Sequence, residues 1–378
     1  MRYFILPCNI STIEKHNIVI DTSNNNNIIC YSLVENLKNN KNKINNYITE
    51  WEKCKKYTNT YEFIHTQIPS SKISISKYKP ISRSYFKMIE ILNTFKINKK
   101  LSNSINTFHL AEGPGGFIEA IANTRKNNYD KYIGITLMEN NSNIPNWNKC
   151  KDIIKKYSNI SLEYGSDNTG DILLAHNLKY CYEKYKNKMD IVTADGGFDF
   201  SIDFNNQEKL ACNLIFAEIC FAILTQKFGG SFIIKFFDIF NLASVDLIYI
   251  LSFFYKDITI TKPCTSRIAN SEKYIVCENF KYHDTQPFFE VFYNIFLTYD
   301  LKHVSINRFL NIEIPHIFLN KIKEINYILG QIQIENINTT IELILTENTN
   351  EKCENYAKKN ITKCIEWCNK NGIPYNTI

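Results

Sequence analysis

The stretch FHLAEGPGGFIEAIANT, from Phe108 to Thr124, decides the fold because it joins a β-rich run, a glycine loop and a helical pattern. Phe108 to Ala111 predicts a first strand, and Phe117 to Thr124 has the spacing of a helix. Between them, Gly113 to Gly116 predicts a tight loop, in which glycine lets backbone amides approach a ligand closely. This order of elements is the arrangement that a nucleotide-like cofactor needs. An ordinary strand-to-helix turn is the alternative.

The spacing of the glycines narrows the class of ligand. The loop Glu112 to Phe117 reads EGPGGF, which is not GxxxxGK followed by Ser or Thr, so a phosphate-cradling loop is disfavoured. The loop is not GxGxxG either, which weakens a dinucleotide interpretation. A smaller ligand that bears a sulfonium group remains.

A second loop carries an acidic candidate for the same ligand. Gly165 to Ile172 reads GSDNTGDI and places Asp171 in a loop beyond a strand. A carboxylate there could accept hydrogen bonds from an adenine amino group or a ribose hydroxyl. An ordinary Asx or glycine turn is the alternative.

The middle of the chain alternates short β-rich runs with helical patterns, which predicts an α/β fold with a mostly parallel sheet and helices on both faces. Further strands are predicted at Tyr132 to Leu137, Ile191 to Ala194 and Phe232 to Phe236, with a closing antiparallel pair at Asp257 to Thr261 and Lys273 to Cys277. Glu208 to Gln226 predicts a long apolar helix that is ended by Phe228 and Gly229-Gly230.

Three regions are predicted along the chain. Residues 1–75 form an N-terminal extension packed on the core, residues 76–285 the catalytic domain, and residues 286–378 a mostly helical C-terminal region. In that last region, Lys321 to Leu329 and Lys352 to Asn369 have helical patterns, and Gln331 to Leu345 is β-like.

Composition excludes several classes of protein. A chain of 378 residues with 44% hydrophobic content, 25 Phe and 23 Tyr is not disordered. The net charge of +6 permits a polyanionic partner without requiring one. The twelve cysteines form no CxxC pair, which suits a reducing compartment and predicts no metal site. No apolar run reaches the roughly 20 residues of a membrane span, so we expect a soluble intracellular protein.

Charged residues stand at the ends of the predicted strands, where ligand chemistry occurs in open α/β sheets. Asp195 follows one strand directly and precedes two glycines, while Lys235 interrupts the apolar strand that ends in Phe236. Burying a lysine is unfavourable unless a carboxylate is near, which predicts a site shared with Asp195. A lysine that snorkels at a strand end is the alternative. Arg267 and Glu272 lie in a loop that enters the last strand, and a solvated surface loop is the alternative there.

Four motifs in combination resemble one family. They are Glu112 to Phe117, Asp195 to Gly197, Lys235 with Phe236 and Asp238, and Ser266-Arg267 through Glu272 to Cys277. On these motifs the chain resembles the FtsJ/RrmJ family of ribose 2'-O-methyltransferases, and within it the cap-specific branch of cellular and large DNA virus forms. The resemblance covers residues from about 80 to 280 and, more faintly, Trp367 to Pro374. Glu112 departs from the family pattern, because many relatives have a small residue there.

The resemblance implies a catalytic tetrad and a cofactor. The tetrad would be Lys87, Asp195, Lys235 and Glu272, with Lys235 as the base toward the 2'-hydroxyl; Glu278 is a competitor for the glutamate role. A lysine can act as a base only if its pKa is lowered, by burial or by a neighbouring cation. The implied cofactor is S-adenosylmethionine, held by Glu112, Gly113, Pro114, Gly115, Gly116, Phe117, Asp171 and Asp195. Candidate contacts to RNA are Tyr78, Arg83, Phe237 and Arg267.

The implied fold is a Rossmann-like S-adenosylmethionine-dependent methyltransferase sheet, and the implied reaction is methylation of a ribose 2'-hydroxyl near the 5' end of capped mRNA. A ribosomal or transfer RNA 2'-O-methyltransferase and a non-catalytic RNA-binding subunit with the same fold are the alternatives. Capped RNA is the implied partner, and other capping enzymes are candidate partners. The resemblance places the protein in the cytoplasm or nucleus, or in the host cytoplasm or virion if it is viral.

Overall fold

The computed structural model describes residues 1–9, 12–23, 27–138, 147, 150–197 and 206–377. The strands are β1 Arg2–Ile5, β2 Ile18–Asp21, β3 Asn106–Leu110, β4 Lys131–Ile135, β5 Ile160–Glu163, β6 Met189–Ala194, β7 Gln226–Phe236, β8 Tyr255–Lys262, β9 Lys273–Phe280 and β10 Arg308–Leu310. The α-helices are α1 Tyr31–Lys43, α2 Ile48–Thr58, α3 Ser84–Thr94, α4 Gly116–Arg125, α5 Lys151–Lys156, α6 Ala175–Tyr185, α7 Gln207–Thr225, α8 Leu242–Phe254, α9 Gln286–Thr298, α10 His316–Leu345 and α11 Thr349–Asn371.

An eight-stranded sheet in the order β1-β8-β9-β7-β6-β3-β4-β5 organises the molecule. Strands β5, β4, β3, β6 and β7 are parallel, and the pairs β7–β9, β9–β8 and β8–β1 are antiparallel. The predicted parallel sheet and its closing antiparallel pair are therefore confirmed.

Both faces of the sheet are covered, because alternate residues of the buried strands enter two different cores. Val192 and Ile234 pack with α7 and α8 on one face. Ile191 and Ile233 pack with α3, α4 and α11 on the other face. The predicted α/β layering is confirmed.

The chain order reverses at β3, which lies between β4 and β6. In parallel sheets a crevice opens at such a switch point, outside the carboxyl ends of the strands. The glycine loop follows β3 and Asp195 follows β6, so both border that crevice.

Two local predictions were wrong. The β-like segment Gln331 to Leu345 continues the helix α10, because its buried residues recur at the helical spacing of Ile322, Ile325, Leu329, Gln333 and Ile337. Helix α7 ends at Thr225, and Gln226 is already extended, so β7 begins before the expected cap. Gly229, which has φ +76°, therefore lies inside the strand.

Strands of the two terminal regions pair with other parts of the chain. β1 pairs with β8 at the edge of the large sheet, and β2 pairs with β10. The predicted boundaries at residues 75 and 285 stay predictions. In the part of the chain that is described, no helix has the length and apolarity that crossing a membrane requires.

Candidate active site

Two buried ion pairs lie at the carboxyl end of the sheet. Lys87 Nζ is 2.7 Å from Glu272 Oε2. Lys235 Nζ is 3.4 Å from Asp195 Oδ1 and donates to the Asp195 carbonyl oxygen at 2.7 Å. The structure therefore brings together the four residues that the sequence singled out, with side-chain exposures between 8% and 16%.

Different elements position these side chains. Lys87 is on α3, Asp195 follows β6, Lys235 is near the end of β7, and Glu272 directly precedes β9. β7 pairs with both β6 and β9, so the ends of three neighbouring strands converge.

Tyr274 joins the two ion pairs, and sequence reasoning missed it. Its hydroxyl donates to Asp195 Oδ1 at 2.9 Å and accepts from Lys87 Nζ at 3.4 Å. The side chain is fully buried on β9, two residues after Glu272. Two residues along a strand lie on the same face, so the spacing from Glu272 was the available signal. The result is one continuous polar network from Glu272 to Lys235.

The pKa values of the two lysines shift in opposite directions. Burial lowers the pKa of Lys87 and outweighs the attraction of Glu272 and Asp195. Burial also acts to lower the pKa of Lys235, but the carboxylates of Asp195 and Glu272, with Glu218, outweigh it and raise that pKa. Burial opposes ionisation of Glu272, yet Lys87 and Lys235 hold its pKa below the usual range. Lys235 is therefore an ammonium at neutral pH in the free protein, and burial alone does not make it a base.

The two glycines after Asp195 are needed for close packing. Gly196 N–H donates to Glu218 Oε1 at 3.1 Å, and a Cβ at Gly196 would lie 2.3 Å from that oxygen. A Cβ at Gly197 would lie 3.2 Å from Lys235 Nζ. The pair lets the chain pass directly between Glu218 and Lys235.

The glycine loop starts helix α4 at the same edge of the sheet. Gly115 is the N-cap residue of the helix, with φ +108°. A Cβ at Gly116 would lie 2.1 Å from Ser84 Oγ and 2.2 Å from Ser82 Oγ, so this glycine lets α3 and α4 pack closely. Gly113 N–H donates to Thr136 Oγ1 at 3.3 Å, and the Gly113-Pro114 peptide is cis.

Glu112 gives the loop a buried carboxyl group. Its Oε1 accepts from Phe117 N–H at 2.5 Å, and its Oε2 is buried with no hydrogen-bond partner among the described residues. Burial, then the charge of Asp195, raise the pKa of Glu112 well above its usual value. A buried acceptor without a partner fits a ligand that brings a cation, so this loop suits a sulfonium-bearing cofactor.

Asp171 is engaged inside the protein. Its Oδ2 is 2.6 Å from Lys302 Nζ, and its Oδ1 accepts from Leu173 N–H at 2.9 Å. In the same loop, Asp167 accepts from His176 Nε2 at 2.8 Å and from Asn177 Nδ2 at 3.0 Å. The carboxylate of Asp171 thus holds the loop, and its expected contact with the cofactor stays a prediction.

The two candidate arginines share a carboxylate that the sequence did not reveal. Arg267 donates to Glu62 through Nη2 at 2.7 Å and through Nε at 3.2 Å, and Arg83 Nη1 is 3.8 Å from Glu62 Oε2. Burial opposes ionisation of Glu62, but the two arginines lower its pKa to about 2. Burial and Arg83 lower the pKa of the adjacent His65 to about 4, so this imidazole is neutral at pH 7. The cluster keeps an excess of one positive charge.

The two candidate aromatic residues differ in their surroundings. Tyr78 donates to Glu119 Oε1 at 2.6 Å and packs against Tyr85 at 5.0 Å between ring centroids. Phe237 is mostly buried, and Lys235 Nζ is 5.6 Å from the centroid of its ring. Phe237 therefore lies beside the ion pairs, whereas Tyr78 is held by Glu119 and Tyr85, and its expected contact with RNA stays a prediction.

Glu278 pairs with Lys100 at 2.6 Å, near the far end of β9. Glu272 is therefore the glutamate that lies in the network.

Residues 80–280 match the profile of the family described as FtsJ-like methyltransferase. The match covers more than half of the chain and includes the whole network from Lys87 to Tyr274. The chain belongs to the FtsJ-like methyltransferase family. S-adenosylmethionine is the methyl donor of this family.

Named relatives of this FtsJ-like methyltransferase act on RNA caps or are viral. The cap-specific mRNA (nucleoside-2'-O-)-methyltransferase 2 of Danio rerio is 29% identical over 283 residues, which are 67% of this chain and 36% of the relative. A probable methyltransferase of African swine fever virus is 31% identical over 219 residues, 53% of this chain and 49% of that protein. The chain thus spans about a third of the first relative and half of the second.

Among solved structures, a putative ribosomal RNA methyltransferase from Plasmodium falciparum aligns with 53% of this chain and 97% of its own, at 24% identity and a TM-score of 0.36.

Proposed function

We propose that this FtsJ-like methyltransferase transfers a methyl group from S-adenosylmethionine to a ribose 2'-hydroxyl near the 5' end of capped mRNA. The observation that carries the proposal is the buried network of Lys87, Asp195, Lys235 and Glu272, which lies beside the glycine loop at the switch point of the sheet. Two lysines and two carboxylates in one crevice can hold a hydroxyl group and remove its proton.

Lys235 is the proposed base. The carbonyl oxygen and Oδ1 of Asp195 both contact Lys235 Nζ and fix its position. The amine is therefore held where it can accept the proton of the 2'-hydroxyl. In the free protein, Asp195 and Glu272 favour the charged form of Lys235. S-adenosylmethionine, when bound, supplies an electrophilic methyl group on a sulfonium cation. A cation near Lys235 lowers its pKa, which is the change that a base role requires.

Glu272, Lys87 and Tyr274 position the reacting groups. Glu272 accepts from Lys87 at 2.7 Å and from Ser266 Oγ at 2.6 Å, so its carboxylate is held on both sides. The Tyr274 hydroxyl group donates to Asp195 Oδ1 and so helps to fix the Asp195 carboxylate. These contacts keep the two lysines at fixed positions in the crevice.

The glycine loop and Asp195 are the proposed cofactor contacts. Gly113, Gly115 and Gly116 bring a backbone without side chains to the edge of the crevice, where helix α4 also begins. Pro114 and Phe117 are the other two proposed contacts of the loop. Asp171 acts through the loop that it shapes with Lys302.

Arg83, Arg267 and Phe237 are the proposed contacts to RNA. Arg83 is at the N-cap of α3, one helical turn before Lys87, and Arg267 is in the loop of Glu272, so both guanidinium groups border the reaction site. Guanidinium groups bind phosphates, and an aromatic ring beside the site can stack on a base. The cap-specific names of the relatives support the capped end as the substrate. Other capping enzymes are the proposed protein partners.

A methyl-transfer assay with three RNAs of one sequence tests the substrate. The RNAs carry an N7-methylated guanine cap, an unmethylated guanine cap, or a 5' triphosphate, at one near-physiological salt concentration, because phosphate contacts are salt-dependent. We expect the methylated cap to give the highest kcat/KM, since a cationic guanine stacks more strongly on aromatic rings. Equal rates with all three would remove the cap from the proposal. Transfer only to structured ribosomal or transfer RNA would favour those substrates, and no transfer to any RNA would favour a non-catalytic subunit.

A further inference from the structure

Glu112 and Glu218 are both buried carboxyl groups with one oxygen that lacks a hydrogen-bond partner in the described structure. Each uses its other oxygen to accept a backbone N–H, from Phe117 and Gly196 respectively. Both groups lie beside the loop of Asp195, and among the described residues neither faces a lysine at ion-pair distance. A buried carboxylate without a cation is unstable, so both groups hold a proton in the free protein at neutral pH.

The charged groups of the crevice are already balanced. Lys87 and Lys235 carry two positive charges, and their partners Glu272 and Asp195 carry two negative charges. S-adenosylmethionine has an ammonium, a carboxylate and a sulfonium, so it adds one net positive charge to this balanced site. S-adenosylhomocysteine, the product, has lost the sulfonium charge and adds none.

We propose that Glu112 releases its proton when the cationic methyl donor binds, and so gives the site a negative charge that favours the donor over the neutral product. This inference rests on the proposed function. Glu112 is in the cofactor loop itself, between β3 and α4, whereas Glu218 is on α7 behind the Asp195 loop. Since the interaction of charges weakens with distance, the carboxyl group in the loop responds most strongly to the ligand.

The charged and polar groups around Glu112 have opposing effects on its proton. Asp195 and burial hold its proton, and Lys235 and two backbone N–H groups of α4 favour its release. Cys150 and Tyr274 also face it, but both remain neutral near pH 7 because burial raises the pKa of each. The bound cation is therefore the change that shifts the balance toward the carboxylate.

Binding calorimetry in buffers with different ionisation enthalpies counts the protons released on ligand binding. At about pH 6.5, we expect the intact protein to release up to about one proton with S-adenosylmethionine and clearly less with S-adenosylhomocysteine. The affinity for S-adenosylmethionine should rise with pH, by up to about tenfold per pH unit, until Glu112 is ionised.

Two variants identify the group that loses the proton. Glu112→Gln keeps an acceptor for Phe117 N–H and should lose most of the release, together with the preference for the donor over the product. Glu218→Gln should keep the release, because Glu218 is on α7 behind the Asp195 loop. Full release from Glu112→Gln, or its loss in Glu218→Gln, would overturn the proposal. The titration of the ligand's own amine is common to all variants and cancels in the comparison.

Two further results separate this inference from the proposed function. If the intact protein methylates capped RNA but releases equal numbers of protons with the donor and the product, the inference fails and the function stands. If the intact protein binds neither ligand, the proposed function fails. The comparison of the two ligands needs no variant, so it decides the matter even if Glu112→Gln does not fold.

Discussion

Lys235 is held by Asp195 on one side and lies beside the Phe237 ring on another, and a Cβ at Gly197 would lie only 3.2 Å from its Nζ. Because these contacts fix the position of the Lys235 amine, the amine can accept a proton only from a hydroxyl group that binds at one defined position. Truncating it removes the amine without removing a residue of the glycine loop.

We expect Lys235→Ala to abolish methyl transfer while S-adenosylmethionine still binds. Loss of an acid-base group lowers rates by roughly 10²–10⁴-fold. Rate measurement and calorimetry on the same preparation check this. Lys227→Ala is the matched control, since Lys227 is on the same strand but half-exposed and paired with Asp190. A Lys235→Ala protein that keeps more than about a tenth of the activity would refute the assignment.

The burial of Glu218 predicts that the free energy of unfolding depends on pH. Burial raises the pKa of this carboxyl group to about 8. The folded protein therefore keeps a proton that the unfolded chain loses above about pH 4.5, and stability falls as pH rises from there to about pH 8. Since each tenfold difference in proton affinity is worth about 1.4 kcal/mol, this fall can reach several kcal/mol.

We expect Glu218→Gln to remove this share of the pH dependence. The variant should gain stability relative to the intact protein between about pH 5 and about pH 8.5, because the substituted amide cannot ionise while the Gly196 N–H keeps an acceptor. Urea unfolding at both pH values measures the difference. Parallel pH dependence in the two proteins would show that Glu218 ionises freely when folded.

The sequence predicts the site residues that lie at the ends of strands, and it misses the residues that reach the site from other elements. Asp195 and Lys235 stand out because a charge interrupts an apolar run. Glu62 and Glu218 did not stand out, because each is far in sequence from the residues that it contacts. Tertiary contacts of this kind leave no local pattern.

The start of helix α4 depends on a backbone conformation that glycine adopts freely. Gly115 has φ +108°, which L side chains rarely adopt, although the nearest atom to an added Cβ is 3.6 Å away. Strain in the backbone, and not a clash, is therefore the effect of an added methyl group.

We expect Gly115→Ala to lower the free energy of unfolding by roughly 1–3 kcal/mol and to weaken S-adenosylmethionine binding. Gly372→Ala is the matched control, since Gly372 has φ +68° at the end of α11 with open space around it. It should show a comparable loss of stability with unchanged affinity. Thermal unfolding and calorimetry measure the two effects. Equal affinity in both variants would show that the loop is only a turn.

Element boundaries show where sequence patterns are informative. Apart from β7, which begins at Gln226 and not at Phe232, the interior strands β3, β4, β6 and β9 were predicted to within a few residues, because they are short apolar runs between clear turns. Residues 331–345 misled the prediction, since their many isoleucines favour strands in isolation. Packing of one face of α10 against α1 and α2 overrides that preference.

Over the whole molecule, helix α10 supports both loops that carry the reaction site. Asn326 donates to the Ile239 carbonyl at 2.6 Å, just beyond β7. Gln333 donates to the Ala269 carbonyl at 2.7 Å, in the loop that leads to Glu272. The C-terminal region therefore positions the catalytic loops from behind.

We expect Gln333→Leu to lower kcat/KM by on the order of tenfold, because the Ala269 carbonyl loses its donor and the loop of Glu272 loosens. Gln331→Leu is the control, since Gln331 is exposed on the other side of α10 and contacts Glu335. Steady-state kinetics of the two variants measure the effect. Equal kinetics in both variants would mean that α10 does not act on the site.

In the proposed reaction, Lys235 directs a methyl group to a ribose 2'-oxygen. Nucleoside mass spectrometry of capped RNA treated with the intact protein and S-adenosylmethionine tests this role, with a parallel RNA that has 2'-deoxy nucleotides near the cap. We expect 2'-O-methylated nucleosides from the first RNA, none from the second, and none from either RNA with Lys235→Ala. Methylation of a base, or equal methylation of the 2'-deoxy RNA, would contradict the proposed reaction.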